Sequence, residues 1–499
     1  MMTLVSLLER RASEAPEAVA VSDSEKSFTW AELSDGSRAV AGGLASLGLE
    51  HGETVIVQLP NWVENVVLRY ALKRCGLVGV YTPITWRERE IRQVLEKTGA
   101  RLYVAPPAFG KLDFLRMSAD LAPDFPELRS VFVRGDDGLP HGSSDACRGF
   151  APEDVSLICV SSGSTGAPKL CESREQAQLA NGNGIGERFA MTREDVVGIF
   201  APLDGGAGLM GWLMAAASGS PVVLADAFRS ESMLDRLARE RVTVLATVPA
   251  LLLRLLDAED HTRWDLSALR LIRTGTAALF ESTAIEAERR LGAKMVPAAG
   301  TMEALTYAQT GTEDPEEIRL GGSVGRPLPG NEIRLVSEDG TELGGDETGI
   351  LETRGTGIGA GYFRDPEATA KAWPNGWFRT GDLAVRDEAG NIFLRGRTKD
   401  VISRGGRNIY PAELESFLIE HPGVREVAVV GVPSEALEEK TRAYVVTRDQ
   451  KTISEEELRE FLEHKRIATY KMPDEFRFLP ELPRLPGAKV NRRALRMED

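Results

Sequence analysis

Short apolar runs rich in β-branched residues alternate with amphipathic stretches along the first three-quarters of the chain. Runs such as TVIV from residue 54, RLYVA from 101 and SLICV from 156 predict buried strands, and the segments between them carry apolar residues at helical spacing. A second series follows, with strands expected within 196–203, 220–226, 242–249 and 269–275. Alternation of this kind predicts mostly parallel sheets covered by helices.

The pattern changes after about residue 330. The segment 332–355, EIRLVSEDGTELGGDETGILETRG, alternates strands with Asp-Gly and Gly-Gly turn signals, which predicts an antiparallel β subdomain. The last hundred residues combine helices and strands differently, and Lys399 and Asp400 mark the expected boundary. The prediction is an α/β protein with a large N-terminal domain over 1–397 and a small α+β domain over 398–499.

Composition and charge narrow the classes of function. The 499 residues include 60 Lys and Arg against 75 Asp and Glu, a net charge of −15, which argues against nucleic acid or an anionic membrane as partner. The N-terminus meets charge by residue 9, and the apolar stretches 208–219 and 242–256 are too short to span a bilayer. The four cysteines and five histidines show no metal-binding spacing. We expect a cytoplasmic protein with reduced thiols and no zinc site.

The stretch SSGSTGAPK, residues 161–169, directly follows a predicted strand. Its glycines let backbone N–H groups turn around an anion, its hydroxyls add donors, and Lys169 adds a positive charge. Ala167 and Pro168 stand between the second glycine and the lysine, so this is not a Walker-type loop. The interpretation is a phosphate-binding loop; the alternative is a polar turn.

Further motifs follow in fixed order: AGTME (299–303), WFRTGD (377–382), GRTKD (396–400), GGRNIYPAELE (405–415) and PRLPGAKVNR (483–492). With these motifs, nearly the whole chain resembles the adenylate-forming superfamily, which contains acyl- and aryl-CoA synthetases, firefly luciferase and peptide-synthetase adenylation domains. The resemblance implies a reaction with ATP and Mg²⁺ that joins a carboxylate to the α-phosphate, releases pyrophosphate and passes the acyl group to a nucleophile. It also implies that the small domain is mobile.

The resemblance also implies roles for single residues. Glu303 would ligate Mg²⁺, Asp382 would accept hydrogen bonds from the ribose hydroxyls, and Arg397 would reach the nucleotide. Lys489 would stabilise the transition state of the first half-reaction, and Lys399 would be the hinge. The other expected nucleotide-binding residues are Ser161, Ser162, Gly163, Ser164, Thr165, Gly166, Lys169, Gly300 and Thr301. Taken alone, each charged residue is equally compatible with a solvated surface position.

The turn before Glu303 departs from the family pattern. Ala299 stands where most relatives have a tyrosine near the adenine, and Met302 stands where they have a phosphate-binding threonine. Thr301 offers a hydroxyl from the neighbouring position. In the loop after Lys169, Glu175 replaces a histidine found in stand-alone aryl-acid enzymes.

The segment APLDGGAG, residues 201–208, gives the strongest indication of the substrates. Asp204 would place a carboxylate near the acyl carbon, where it could hold an ammonium group or accept its proton. This feature resembles the ATP-dependent amide bond synthetases, natural-product enzymes that couple an aromatic acid to a free amine. The alternative is that Asp204 caps a turn or a helix.

Glycines follow Asp204 at 205, 206 and 208, and we expect them to leave room for a flat ring. The expected acid pocket consists of Gly205, Gly206, Gly275 and Ala299.

The predicted function is adenylation of an aryl or heteroaryl carboxylic acid, followed by transfer of the acyl group to an amine. The partners are then small molecules, a carboxylic acid and an amine. Three alternatives stay open: a thioester-forming ligase that uses coenzyme A, loading of a carrier-protein thiol, and a catalytically weak nucleotide-binding or regulatory homologue. Retention of Lys169, Glu303, Asp382, Arg397 and Lys489 weighs against the last.

Overall fold

The structure is a computed structural model that describes residues 2–135, 138–143, 147–161, 168–226, 229–258, 260–277, 279–434, 437–448, 453–484 and 490–497. The first part of the chain alternates helices with short strands as the sequence predicts. Its elements are α1 (Leu4–Glu14), β1 (Val19–Ser22), β2 (Ser27–Thr29), α2 (Trp30–Ala45), β3 (Thr54–Val57), α3 (Val63–Cys75), β4 (Val78–Tyr81), α4 (Glu88–Thr98), β5 (Leu102–Ala105), β6 (Ala108–Phe109), β7 (Leu112–Asp113), α5 (Phe114–Leu121), β8 (Arg129–Phe132) and β9 (Val155–Ser161).

The second α/β series continues the same alternation. Its elements are β10 (Lys169–Arg174), α6 (Glu175–Arg188), β11 (Val197–Ile199), α7 (Gly206–Ser218), β12 (Val222–Leu224), α8 (Ser230–Arg239), β13 (Val244–Thr247), α9 (Pro249–Leu256), β14 (Leu271–Thr274), α10 (Glu281–Leu291), β15 (Lys294–Thr301), β16 (Leu305–Gln309), α11 (Glu316–Leu320) and β17 (Arg326–Pro327).

The remainder contains the antiparallel strands and the C-terminal elements. These are β18 (Asn331–Val336), β19 (Gly349–Gly355), β20 (Gly361–Tyr362), α12 (Pro366–Ala372), β21 (Phe378–Arg386), β22 (Ile392–Arg397), β23 (Ile402–Arg404), β24 (Arg407–Ile409), α13 (Pro411–Leu418), β25 (Val424–Ser434), β26 (Glu438–Thr447), α14 (Glu455–His464), β27 (Glu475–Phe478) and α15 (Arg492–Arg496).

Two large sheets form the body of the protein. One has the strand order β17-β16-β15-β14-β13-β11-β12-β1-β2 and is parallel from β15 to β1. The other has the order β20-β10-β9-β4-β3-β5-β8 and is parallel from β9 to β8. The predicted α/β class with mostly parallel sheets is therefore confirmed. A smaller antiparallel sheet, β18-β19-β21-β22, is the expected β subdomain.

The main hydrophobic core lies between the two large sheets. It joins side chains of α2, α3 and α7 with strand residues of both sheets, such as Val57 and Val244. Trp212 and Leu213 of α7 are fully buried in this layer. This placement explains why α7 is apolar on all sides, since a helix covered by sheets on both sides has no solvent face. No helix among the described residues has the length and apolar character needed to cross a membrane.

The chain leaves the β subdomain at the end of β22 and enters a separate C-terminal sheet at β23. The turn between them, Thr398–Asp400, is a single 3₁₀ turn that contains Lys399. The C-terminal sheet has the order β24-β23-β26-β25, with β27 beside β26. Ser454 caps α14 by accepting the backbone N–H of Glu457 at 3.1 Å. The division at 397/398 coincides with this change of sheet but stays a prediction.

A buried ion pair fixes the strand that leads to the phosphate loop. Lys73 of α3 pairs with Glu175 at the start of α6, with side-chain exposures of 6% and 3%. Both side chains also bond Ser156 of β9, and Glu175 accepts the backbone N–H of Leu4. Burial by itself would raise the pKa of Glu175, but Lys73 holds that pKa below its usual value. Glu175, which stands where stand-alone aryl-acid enzymes have a histidine, therefore stabilises the fold.

We predict that Lys73→Met lowers the free energy of unfolding by about 3 to 5 kcal/mol, because it leaves the Glu175 carboxylate buried without its cation. Denaturant unfolding of the purified variant measures this loss. Adding Glu175→Gln should restore much of the stability, since the amide removes the unpaired charge.

The matched control is Arg38→Met. Arg38 pairs with Asp35 on the surface of α2, where their side chains are 58% and 73% exposed. We expect a loss of less than about 1 kcal/mol, because solvent screens an exposed pair. Equal losses in Lys73→Met and Arg38→Met would contradict the importance of the buried pair.

Candidate active site

The phosphate loop closes a hairpin between two antiparallel strands. Ser161 ends β9 and Lys169 begins β10, and the two residues are register partners. Helix α6 begins only at Glu175. The intervening predicted residues, Ser162, Gly163, Ser164, Thr165 and Gly166, lie outside the described residues. The described ends of the loop, Ser161 and Lys169, lie at the carboxyl end of β9.

A tyrosine joins the phosphate-loop lysine to the predicted metal ligand. The Lys169 ammonium lies 3.3 Å from the Tyr362 hydroxyl and 4.7 Å from the centre of its ring. The same hydroxyl donates to Glu303 Oε1 at 3.0 Å. Burial and the nearby Glu303 carboxylate raise the pKa of Tyr362, so the phenol stays a donor. The structure thus brings Lys169 and Glu303 together across Tyr362 of β20.

The β15–β16 hairpin carries the altered AGTME turn. A Cβ atom at Gly300 would lie 2.0 Å from the Leu305 carbonyl oxygen, so the tight hairpin requires glycine there. The Thr301 hydroxyl accepts the backbone N–H of Ala304 at 3.1 Å and keeps its proton for a second partner. The proposed replacement of the missing threonine hydroxyl by Thr301 stays a prediction.

The predicted ribose ligand is held from two sides. Asp382 of β21 accepts a hydrogen bond at Oδ1 from Arg397 Nε, at 2.8 Å, and one at Oδ2 from the Tyr307 hydroxyl, also at 2.8 Å. Asp382 and Arg397 are register partners on β21 and β22. The Asp382 carboxylate raises the pKa of Arg397, which secures its charge. The structure therefore pairs the two residues that the resemblance assigns to the nucleotide, and their roles in binding it stay a prediction.

The glycines after Asp204 do not leave an empty space, which corrects the sequence-based expectation. A Cβ atom at Gly205 would lie 2.5 Å from the Met302 methyl carbon, and one at Gly206 would lie 2.9 Å from the Thr276 methyl group. At Gly208, the Pro202 carbonyl oxygen would be 2.0 Å away. These glycines therefore permit close packing of neighbours.

The other two predicted acid-pocket residues lie at the same edge of the central sheet. Gly275 directly follows β14, and its Cα faces the Ala298 carbonyl oxygen of β15. Ala299 is buried in the core cluster beneath the β15–β16 hairpin.

Asp204 is a partly buried carboxylate at the start of α7. The helix has Gly205 as its N-cap and no side-chain cap hydrogen bond, so Asp204 does not cap it. Burial raises the pKa of Asp204 to about 6, against opposing contributions from Arg69 and from the backbone N–H groups of Asp204 and Gly205. Burial and the charges of Asp204 and Glu303 raise the pKa of the Cys159 thiol, which lies two residues before the end of β9. Gly205, the residue after Asp204, packs against the Met302 side chain, so Asp204 lies close to the turn that carries Glu303.

A buried arginine lies close to Asp204. Arg69 is 2% exposed, donates to the Leu203 carbonyl, and stacks 3.7 Å above the Tyr81 ring. Desolvation lowers the pKa of Arg69, while the Asp204 charge raises it. Arg69 accordingly favours the ionised form of Asp204.

Two further predicted residues, Lys399 and Lys489, belong to the C-terminal part of the chain. Lys399 lies in the 3₁₀ turn after β22, and its carbonyl accepts a hydrogen bond from Arg496. Lys489 lies outside the described residues. The residues on either side of its segment, Arg484 and Val490, line a cavity of about 110 Å³ together with Thr276 of the large domain. Arg484 and Val490 therefore lie near Thr276, the residue after Gly275 of the predicted acid pocket.

A magnesium ion would have one carboxylate from this chain in the cleft. Among the residues that the structure describes, no group of three or more His, Cys, Asp or Glu side chains could hold a metal. Mg²⁺ commonly binds one or two carboxylates together with substrate phosphates, which suits Glu303 beside Lys169.

Comparison with known proteins agrees with this geometry. The family profile of AMP-binding enzymes matches residues 8–363, and the profile of the AMP-binding enzyme C-terminal domain matches 413–489. The chain belongs to the AMP-binding enzymes. It is an ATP-dependent, AMP-forming ligase.

Relatives of this AMP-binding enzyme have different second substrates. A 2-hydroxy-7-methoxy-5-methyl-1-naphthoate–CoA ligase of Streptomyces carzinostaticus is 31% identical over 516 residues, covering 98% of this chain and 92% of that enzyme. ATP-bound MatB from Rhodopseudomonas palustris has a TM-score of 0.89 and 27% identity, covering 99% of this chain and 98% of that one. The amide bond synthetase McbA from Marinactinospora thermotolerans has a TM-score of 0.87 and 28% identity, covering 99% of each chain.

Sequence reasoning missed the two tyrosines of the site. Tyr362 follows Gly361 in a motif-like stretch, GYFRDPEAT, which could have drawn attention to it. Tyr307 lies four residues after Glu303 on an apolar strand, and nothing in that pattern points to Asp382. Arg69 was also missed, because an arginine within a helix usually lies on its solvent face.

We predict that Asp204→Asn makes the enzyme more stable at alkaline pH. The folded-state pKa of about 6 lies above 3.8, the usual value for an aspartate, so ionisation of Asp204 opposes folding as pH rises between these values. Removing that cost should raise the free energy of unfolding by up to about 3 kcal/mol at pH 8. The advantage should shrink below pH 6 in denaturant titrations.

Asp195→Asn is the control, and we expect it to change the free energy of unfolding in the opposite direction. Arg270 donates to both Asp195 oxygens at 2.8 Å, and the pKa of Asp195 is lowered by these and other hydrogen bonds, although burial opposes them. Stability from this ionised carboxylate is present at neutral pH and is lost as pH falls below its usual pKa. Asp195→Asn should therefore destabilise at pH 8. A destabilised Asp204→Asn at that pH would contradict the assigned cost.

Proposed function

We propose that this enzyme adenylates an aryl or heteroaryl carboxylic acid and transfers the acyl group to an amine. The observation that supports an amine acceptor is Asp204, a carboxylate close to the turn that carries Glu303, with a pKa of about 6. Such a pKa leaves the group ionised at neutral pH and able to receive a proton, which is what a general base requires.

The first half-reaction joins two anions, so it depends on placed cations and dipoles. The acid carboxylate attacks the α-phosphate, and pyrophosphate leaves. Lys169 is the proposed partner of the departing phosphates, and Lys489 that of the α-phosphate and carboxylate oxygens. Mg²⁺, when bound by Glu303 and the phosphates, supplies further positive charge. Asp382 and Arg397 are the proposed ribose and nucleotide ligands.

In the second half-reaction the amine nitrogen attacks the acyl carbon of the acyl-adenylate. The C–N bond forms, the bond to the AMP oxygen breaks, and the nitrogen loses one proton. We assign Asp204 as the acceptor of that proton. The products are an amide and AMP, and the proton passes to solvent.

The second candidate is a ligase that forms a thioester with coenzyme A. It is favoured by the naphthoate–CoA ligase, which is 31% identical to this chain. In that case Asp204 is a pocket or turn residue. Loading of a carrier-protein thiol is the third candidate, and a nucleotide-binding homologue without catalysis is the fourth.

A competition assay tests the proposal. The enzyme receives ATP, Mg²⁺ and a panel of aryl acids, with an amine and coenzyme A present together, and mass spectrometry identifies the products. We expect amide in preference to thioester, with AMP and pyrophosphate formed. Thioester alone would assign the enzyme to the CoA ligases, and no pyrophosphate with any acid would favour a homologue without catalysis.

The same assay on Asp204→Asn isolates the second step. We expect amide formation to fall by about a hundredfold, the typical value of a general base, with much less effect on pyrophosphate release. Asp204→Glu keeps a carboxylate and should retain part of the coupling rate. Equal losses in both half-reactions would make Asp204 a residue of the fold or of the acid pocket.

Lys489→Ala separates the half-reactions in the opposite direction. We expect pyrophosphate release to be abolished, because the lysine charge is needed only in the adenylation transition state, while coupling from a supplied acyl-adenylate is spared. Quenched-flow detection of pyrophosphate and of amide measures the two steps.

Lys465→Ala provides the control for Lys489→Ala, since Lys465 lies on the same domain and pairs with Glu420 on its surface. It should leave both steps unchanged. Loss of both steps in Lys489→Ala would refute the assigned role.

A further inference from the structure

Both oxygens of the predicted ribose carboxylate are occupied by partners from different sheets. Arg397, which donates to Oδ1, comes from β22 of the same antiparallel sheet as Asp382. Tyr307, which donates to Oδ2, comes from β16 of the large central sheet. Tyr307 is fully buried and Asp382 is 7% exposed. The contact therefore links the sheet that carries Asp382 to the central sheet, within the core cluster that the two sheets share.

The chemistry of this contact suits orientation. Burial and the Asp382 carboxylate raise the pKa of Tyr307 well above its usual value, so the phenol remains a donor at any pH that the fold tolerates. A carboxylate offers about four lone-pair directions. Tyr307 and Arg397 each occupy one lone pair, on different oxygens of Asp382. The free lone pair on each oxygen then points in a defined direction.

The position of Tyr307 in the chain gives this contact a second consequence. Tyr307 lies four residues after Glu303, on the strand that follows the turn bearing Met302 and Glu303. Arg273 of β14 reinforces this strand, since its guanidinium donates to Thr306 Oγ1 at 2.8 Å and to Gln309 Oε1 at 3.0 Å. The predicted ribose carboxylate is thus linked to the strand that follows the turn with the proposed metal ligand.

We propose that Tyr307 is a positioning residue for ribose recognition: its phenol aims the free lone pairs of Asp382 at the two ribose hydroxyls. This inference rests on the proposed role of Asp382 as ribose ligand. A tyrosine that merely satisfied a buried carboxylate would affect stability and all nucleotides equally. A positioning tyrosine affects only nucleotides that possess the hydroxyls.

The test measures binding of ATP, 2′-deoxy-ATP and 3′-deoxy-ATP by calorimetry, without acid or amine, in the wild type and in Tyr307→Phe. The wild type should prefer ATP. In Tyr307→Phe we expect ATP affinity to fall about tenfold and the affinities of the deoxy analogues to fall about threefold or less, so that the preference for ATP shrinks. A preference that is unchanged in Tyr307→Phe overturns the proposal.

Tyr362→Phe is the matched control. It removes a phenol that bonds a different carboxylate, Glu303, so it should leave the ratio of ATP to deoxy-ATP affinity unchanged. In an Asp382→Asn background, Tyr307→Phe should no longer change the ratio, because Tyr307 acts through Asp382. A further change there would overturn the proposal.

Two additional results keep the test decisive. If Tyr307→Phe does not fold, 3-fluorotyrosine at position 307 keeps the size and hydroxyl while strengthening the donor. A shifted affinity ratio then supports the proposal and an unchanged ratio overturns it. A wild type that binds ATP and both deoxy analogues equally would refute the ribose role of Asp382 itself, a different outcome from failure of Tyr307 alone.

Discussion

The active site must keep carboxylates in a half-buried cleft that also receives a triphosphate. Each unpaired charge there is costly, because desolvation disfavours it and the incoming anion repels it. Glu303 is stabilised by the Tyr362 hydroxyl, and Asp382 by Tyr307 and Arg397. Asp204 has no comparable side-chain partner among the described residues, and burial raises its pKa. Among the described residues, the three carboxylates therefore differ in whether a side chain donates a hydrogen bond to them.

The fold brings the candidate site residues together because the ends of several strands lie close to one another. Asp204 and Gly275 follow the ends of parallel strands of the central sheet, and the phosphate loop follows β9 of the other sheet. Ligands of open α/β sheets bind beyond the carboxyl ends of strands. The buried Lys73–Glu175 pair hydrogen-bonds Ser156 of β9 and so fixes the position of the strand that leads to the phosphate loop. The β subdomain adds Asp382 and Arg397 from the side.

Much of this fold follows from local pattern. Strands β9, β13 and β14 lie within the predicted β-branched runs, and the uniformly apolar α7 is buried as such a segment must be. The charged site residues were found because each belongs to a motif.

Contacts between distant segments could not be predicted in this way. An aromatic residue on an apolar strand carries no signal of the carboxylate it will meet, so Tyr307 was not identified. The expectation that the glycines after Asp204 leave room for a ring was wrong for a related reason. A missing side chain permits either an empty space or a close neighbour, and the sequence does not show which of the two is present. The Met302 methyl carbon would lie 2.5 Å from a Cβ atom at Gly205.

That methionine has a consequence for how the enzyme could be redesigned. Its side chain occupies the place that a residue larger than glycine at position 205 would need, so the wall beside Asp204 is an unbranched thioether with three rotatable bonds. Such a wall adapts its shape at little energetic cost, whereas a threonine at the same position would be short and stiff. Residues 205 and 302 are therefore coupled: a larger side chain at position 205 requires Met302 to move or to be replaced by a smaller residue.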